Sequence, residues 1–552
     1  MPTRLALTDD QFDQFARVLD ADQETAAIIA ATLVDDLRPG GVEPAVKPVV
    51  ELMAVSTGEP HANHADGSAD DMSKDLTSTT LLARTITWVP DEGYLRRSGV
   101  GLSIASTGWV PAFRAAVSDQ LVPVFVHTHP AGHAEFSRWD DEVDASLATA
   151  ARQFGALAYA SVVFAGRSAA PAVVARLCVF AVPRDQSGDD DSALDPHASE
   201  ETSDGRRSAD EPEAEFVEVA AVRVAGSALR LLLPPVHAFA ADDAVSRPRV
   251  AGDGPDAGTF DRQVRMLGED GQRTLHAVRA AVIGTGGTGS AVAVQLARLG
   301  VGEICLVDDD IVTAPTPTRG HGMRVSDVGK PKVEVLGQHI RDIGLGTRVV
   351  EVDATLHKPA ALWAIQHADV VFSCVDGHGA RLILNRFAYA HLAAVIDLAV
   401  LVAVTEPGGV AARAQVEVDE RVTWIAPGTA CLLCRGRLDA ALAYAENLDP
   451  DARRRLAGEG YVAAAETPQP AVVTLTTLVA SLAATEFLLR LTDIGSSEAT
   501  ELLLRPHIGD LRRNRVPQRP GCFCNDPNYL GRGRRGQYLD LMWTTPPFGE
   551  PE

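Results

Sequence analysis

An α/β chain of two domains is what this sequence predicts. Three observations predict it. Short apolar runs alternate with amphipathic stretches. A glycine-rich turn between two apolar runs starts at Arg279. A histidine-rich segment, HTHPAGHAEFSRWD, directly follows the apolar run VPVFV from Val122. With 552 residues the chain exceeds one ordinary core, and 46% hydrophobic residues suffice for two.

The first domain is read as residues 1–245, within which 184–215 is acidic, poor in apolar side chains and expected to be disordered. Strand-like runs resume at Phe216–Val224 and Leu229–Leu233 and should finish this domain. Residues 246–259, rich in Gly, Pro and Asp, read as a linker, and 260–552 as the second domain.

VPVFV reads as a buried strand. Residues two apart on a strand face the same side, so His127 and His129 present both imidazoles together. Pro130 and Gly132 turn the chain so that Asp140 can return to them. Two histidines and one carboxylate leave zinc a fourth position for water, the mark of a catalytic site. This HxHP…SxxD pattern resembles the JAMM metalloproteases. The resemblance implies a cytidine-deaminase-like α/β domain, a catalytic Zn²⁺ on His127, His129 and Asp140, and Ser137 as donor to the oxyanion. It also implies an upstream glutamate as general base. Glu24 opens the apolar element ETAAIIAATLV and is chosen over Glu43, Glu51, Glu59 and Glu92. The long gap to His127 is assigned to a polar loop at 56–78.

In RAAVIGTGGTGSAVAVQLARLGVGEICLVDDD, two apolar strands flank a glycine turn and a helix. Gly284, Gly286, Gly287 and Gly289 let backbone approach phosphate at a helix N-terminus. Asp308 ends the next strand, placed to accept from ribose hydroxyls, with Asp310 beside it. Alone, this fits any dinucleotide, NAD included. The surrounding residues resemble the ThiF/MoeB family, related to ubiquitin-activating enzymes: Arg262-Gln263 ahead of the first strand, Arg319, Lys332 in GKPK, and Asp376 ending VVFSCVDG, with Arg381 and Asn385 after it. The resemblance implies ATP in a Rossmann-like doubly wound domain. Arg319 and Lys332 would then offset triphosphate charge, Asp376 would hold Mg²⁺, and Arg262 would reach the γ-phosphate from the other subunit of a homodimer. The family's Asn and two Gln are replaced here by Thr316, Thr318 and Gly320.

The chain has seven cysteines, and four form two tight pairs, Cys431/Cys434 and Cys522/Cys524, which points to metal. The ThiF resemblance implies a structural Zn²⁺ held by these four cysteines, although the second pair is CxC rather than CxxC. Cys178, Cys305 and Cys374 lie in apolar runs and read as core, so no thioester nucleophile is evident.

A net charge of −24 with no basic face argues against nucleic acid. No apolar run reads as a membrane span, and MPTRLALTDDQFDQF lacks a signal peptide's apolar core, so a cytoplasmic location without membrane attachment is expected. The expected function is bifunctional. One half adenylates the C-terminal glycine of a ubiquitin-like or sulfur-carrier protein, and the other hydrolyses the (iso)peptide bond after such a terminus, with a conjugating-type enzyme or a sulfurtransferase as further partner. The alternatives are adenylation of a peptide or small acid beside a processing protease, and a non-catalytic carrier-binding scaffold. Fusion of the halves would let one tail meet both sites at raised local concentration.

Overall fold

The computed structural model describes residues 3–35, 78–99, 101–130, 132–180, 215–235, 258–405, 415–446, 448, 470–494 and 498–535. Most of the expected 56–78 loop, the acidic run and the linker fall outside these residues.

The N-terminal half contains β1 (Thr3–Thr8), α1 (Asp9–Val18), β2 (Ala26–Asp35), β3 (Thr79–Trp88), β4 (Tyr94–Ser98), β5 (Gly101–Ile104), α2 (Ser106–Ser118), β6 (Val122–Pro130), α3 (Arg138–Gln153), β7 (Ala158–Arg167), β8 (Ala170–Val179), β9 (Val217–Ala225) and β10 (Leu229–Leu232). The strand order is β1-β3-β2-β6-β7-β8-β9-β10, and β1 also pairs with β9. The sheet therefore closes on itself. The sequence reading expects a cytidine-deaminase-like α/β domain here and does not foresee the closed sheet. Closure depends on parallel pairing of Thr3–Thr8 with Val219–Ala225, partners remote in sequence that no local pattern reveals. Alternation along the strands sorts the side chains. Val122, Val124 and Val126 face an interior cluster that includes Phe12 and Phe15 of α1. Phe125 faces outward, with Ala26 and Ile28, into a second cluster under α2 and α3.

The C-terminal half contains α4 (Asp261–Ala277), β11 (Arg279–Ile283), α5 (Gly287–Leu299), β12 (Glu303–Val307), α6 (Lys332–Ile343), β13 (Arg348–Val352), α7 (Pro359–Ile365), β14 (Val370–Ser373), α8 (His378–Ala390), β15 (Ala394–Thr405), β16 (Gln415–Ile425), α9 (Ala440–Glu446), α10 (Val473–Leu491), β17 (Glu501–Arg505) and β18 (Asp510–Asn514). The sheet order is β13-β12-β11-β14-β15-β16-β17-β18. β11 to β15 are parallel, and the last three strands continue antiparallel. Two apolar clusters cover the two faces, as a doubly wound sheet requires. By length and composition α10 could cross a membrane, which the sequence reading missed because Glu486 and Arg490 interrupt its apolar run. Here α10 packs on α5, β10, β15 and β16.

The halves meet through the outer wall of β1, β3 and β9. Arg4 donates to Ala277 O (2.7 Å) and Arg223 to Ala368 O (2.6 Å) and His391 O (2.8 Å). Both guanidinium groups lie 3.5 Å from Asp369, whose carboxylate also accepts from Arg279 N. Thr80 contacts His367 (2.9 Å), and Trp424 Nε1 donates to Gly226 O (2.7 Å). Ala277, Arg279, Ala368, Asp369 and His391 all lie at the N-terminal ends of β11, β14 and β15.

Candidate functional sites

A cleft with three side chains able to hold a metal lies on the opposite wall of the barrel. His127 and His129 leave the end of β6 on its outward face, and Asp140 enters α3. Ligand atoms of the three lie within 4.8 Å of one another. His127 is buried and, among the described residues, neither ring nitrogen has an aligned hydrogen bond, although Nε2 is 3.1 Å from Asp140 Oδ1. Orphaned imidazole nitrogens beside a carboxylate fit a cation between them. Asp140 is held well below the usual carboxylate range. Burial pushes it up, but contact with His127 and two donors from Ser137 outweigh that. Burial also lowers His129, with a further push from His127.

Glu24 joins this cleft. Ala26 pairs with His127 across β2 and β6, and Thr25 and Thr128 exchange two hydrogen bonds (2.9 and 3.0 Å), which fixes the residue just before the strand. Glu24 N donates to Ser98 O (2.8 Å) and Glu24 O accepts from Arg97 (2.7 Å). The side chain is buried, and desolvation raises it to about 7, with His127 pulling down and Asp140 pushing up. Of the other candidates, Glu92 is exposed on a turn, and Glu43, Glu51 and Glu59 lie outside the described residues. Ser137 caps α3, and its hydroxyl donates to Asp140 Oδ2 (2.7 Å). Meeting an oxyanion therefore requires that hydroxyl to turn.

The cleft encloses 570 Å³ and includes Arg96, Leu102, Ser103 and Trp139, which the sequence did not single out. Arg96, Leu102 and Ser103 lie on the alternating, partly polar β4–β5 hairpin, which carried no motif, and Trp139 lies on the first turn of α3 beside Asp140.

A second site forms at the C-terminal ends of β11, β12 and β14. Gly284 has φ +84°, and a Cβ there would meet Cys374 O at 2.6 Å. At Gly289 a Cβ would lie 1.8 Å from Gly284 O, so helix and turn touch only because both are glycine. Asp308 accepts from Thr285 N (2.5 Å), Thr285 Oγ1 (2.9 Å) and Asp310 N (2.9 Å). This pins the acid beside the turn, and Thr285 is a partner that sequence reasoning missed. Lys332 Nζ lies 2.6 Å from Asp310 and 3.9 Å from Asp308. Arg319 packs beside Gly287 at the start of α5, and Asp376 is exposed just beyond β14.

Three other residues stand elsewhere. Arg262 opens α4, where neighbouring Gln263 donates to Arg298 O near the far end of α5. A helix of this length puts that end roughly 18 Å from the glycine turn. Arg381 is bound to Asp397 (3.2 Å) and to Val375 and Leu398 carbonyls. Asn385 accepts from Leu432 N (2.8 Å) and so braces the first cysteine pair. In the substituted segment Thr316 accepts from Thr313 N and Thr318 donates to Pro315 O, while His321 N donates to Ser290 Oγ of α5.

The four paired cysteines converge. Cys431 and Cys522 sulfurs are 3.7 Å apart, Cys434 and Cys524 sulfurs 3.6 Å. These distances are too long for a disulfide. They match the roughly 3.8 Å between thiolates around tetrahedral zinc at about 2.3 Å. The short CxC spacing is accommodated because Cys522 N turns back to Arg519 O. Contact with the Cys524 thiol is the main cause that lowers Cys431 to about 5. The remaining cysteines are different: burial pushes Cys178 up to about 11 and raises Cys305 and Cys374.

Fold and site define the C-terminal half as a Rossmann-type nucleotide-binding domain with a cysteine cluster. Residues 260–524 match the model of the ThiF family, and this part is a ThiF/MoeB-type domain. Similar proteins include the SAMP-activating enzyme E1 of Haloferax volcanii (33% identical over 135 residues, 24% of this chain and 50% of that one). The sulfur carrier protein ThiS adenylyltransferase of Escherichia coli is 30% identical over 128 residues (23% and 51%). The molybdopterin-synthase adenylyltransferase of Salmonella typhimurium is 33% identical over 132 residues (24% and 53%). The chain spans about half the length of these relatives. Among solved structures, E. coli MccB with MccA-N7isoASN gives a TM-score of 0.38 at 17% identity, covering 48% of this chain and 74% of that one.

Proposed function

We propose that the protein is a bifunctional enzyme. Its C-terminal half adenylates the C-terminal glycine of a ubiquitin-like or sulfur-carrier protein with ATP, and its N-terminal cleft is a JAMM-type zinc hydrolase for the bond after such a terminus. The observation that carries this reading is the meeting of Glu24, His127, His129 and Asp140 in one cleft, on a chain whose other half has ThiF-type relatives.

His127, His129 and Asp140 would hold Zn²⁺, which when bound supplies a Lewis acid. Glu24 takes a proton from the attacking water as its oxygen bonds to the carbonyl carbon. Glu24 then returns that proton to the nitrogen as the C–N bond breaks, leaving a carboxylate and an amine. In the other half, a carboxylate oxygen attacks the α-phosphorus and pyrophosphate departs. Lys332 and Arg319 offset the charge, Asp308 holds the ribose, and Asp376 would hold Mg²⁺. Arg262 would serve a second copy of the chain in a homodimer. With Cys178 and Cys305 buried, Cys374 partly buried and all three thiols raised, the chain stops at the acyl-adenylate or passes it to a partner's thiol, that of a conjugating-type enzyme or a sulfurtransferase.

ATP–pyrophosphate exchange stimulated by a glycine-tailed carrier, and abolished by Asp376→Ala with peptide cleavage intact, is the expected result. Exchange that ignores the carrier overturns the adenylation reading.

A further inference from the structure

Two consecutive arginines on β4 have different fates. Arg97 is fully engaged: it donates to Glu24 O (2.7 Å) and Thr25 Oγ1 (2.7 Å), pairs with Asp91 (3.1 Å), and lies 4.7 Å over the Tyr94 ring. Arg96 is exposed, sits opposite Ser103 in the hairpin, and lines the cleft beside Glu24, His127, His129 and Asp140. Among the described residues it has no hydrogen-bonding or ionic partner. It is also the one lysine or arginine among those lining the cleft, whose acids are Glu24, Glu135 and Asp140. A guanidinium left free in an acidic cleft is suited to a planar anion arriving with the substrate.

Which part of the substrate carries that anion follows from the wiring of β4. Ser98 O accepts from Glu24 N and Arg97 holds Glu24 O, so β4 is tethered beside Glu24, and Arg96 of that strand lines the cleft with it. In the hydrolase reading Glu24 protonates the leaving nitrogen, which makes its side of the cleft the place of the released fragment. Trp139, 62% exposed on the rim, offers an apolar surface to the fragment's side chain.

We propose that Arg96 binds the free α-carboxylate of the released fragment, so that the cleft's substrate is a short C-terminal extension ending in a free acid. A lysine side chain in a folded conjugate brings amides to this position rather than a carboxylate. The inference rests on the zinc-hydrolase reading and selects trimming over release from conjugates.

The test is calorimetric binding to the full-length, zinc-loaded Glu24→Gln protein. The probes are an octapeptide ending in Gly-Gly-Ala as free acid and the same peptide as C-terminal amide. The free acid is expected to bind at least tenfold more tightly. Arg96→Gln should reduce the acid to the level of the amide without changing the amide, and Arg96→Lys should restore part of the difference. Equal binding of acid and amide, equal weakening of both by Arg96→Gln, or no binding of either peptide overturns the assignment. Cleavage of the two peptides by the unaltered protein is read separately. Acid-selective binding without cleavage removes the hydrolase reading and leaves Arg96 as a carboxylate receptor. Cleavage without acid preference removes Arg96 and leaves the hydrolase.

Discussion

Glu24 and Glu420 are both carboxyls pushed to about 7 by burial, yet only one faces a cleft. Replacing Glu24 by Gln keeps shape and removes the base. Peptide cleavage is expected to fall by about 10²–10⁴-fold, while metal content measured by atomic absorption is unchanged. Glu420, in β16, is 0% exposed, and among the described residues neither oxygen has a hydrogen-bond partner. Its folded-state pKa lies above the unfolded value of 4.5, so between pH 4.5 and about 7 the folded chain binds more protons. Stability linked to this group is therefore present in acid and lost as pH rises to 7, then constant. The loss is roughly 1–3 kcal/mol. Glu420→Gln should flatten that slope and raise the midpoint of denaturant unfolding at pH 8. An unchanged slope between pH 5 and 7 counts against the assignment.

Elements explain what the sequence could reveal. The two histidines were legible because a strand's period of two places His127 and His129 on one side whatever surrounds them. The glycine turn was legible for a similar reason, since φ +84° at Gly284 and the closeness of Gly289 to Gly284 O admit no side chain. Glu24 was found through the apolar run it precedes, though that run is a strand whose neighbours, not its own pattern, aim the acid. Thr285 and the brace from Asn385 to Leu432 N depend on partners farther along the chain, and Arg96 on a hairpin without a motif, so none of the three left a local mark. The cysteine cluster joins Cys431–Cys434 to Cys522–Cys524 across such a distance. Chelation is expected to lower the thermal midpoint by several degrees, and Cys524→Ser to lower zinc content measured in the isolated protein. A Tm indifferent to chelator speaks for four reduced thiols without metal.

At the scale of the whole molecule, the two halves share a buried ionic seam. Arg223 and Asp369 are 0% exposed and Arg4 is 2% exposed. Removing one partner strands the others: Asp369→Ala is expected to cost about 3–5 kcal/mol in equilibrium unfolding. The residues of β10 that complete a cluster with α5 and α10 make separate melting of the halves unfavourable, so a single calorimetric transition is expected. Two well-separated transitions would show that the seam does not couple them.

That seam also fixes where each mouth opens. It occupies the N-terminal ends of the parallel strands, whereas the glycine turn lies at their other ends, and the histidines lie on the barrel wall facing away from the seam. A sheet about 17 Å tall and the breadth of the barrel stand between them. An extended tail advances about 3.3 Å per residue, so one chain end cannot occupy both mouths of the same molecule without some ten residues wrapped around its flank. On the proposed reading, a trimmed product would therefore travel through water before it is activated. Excess unlabelled trimmed carrier should dilute a label fed in as extended precursor, in full proportion, and label that survives such dilution would reveal a passage between neighbouring copies.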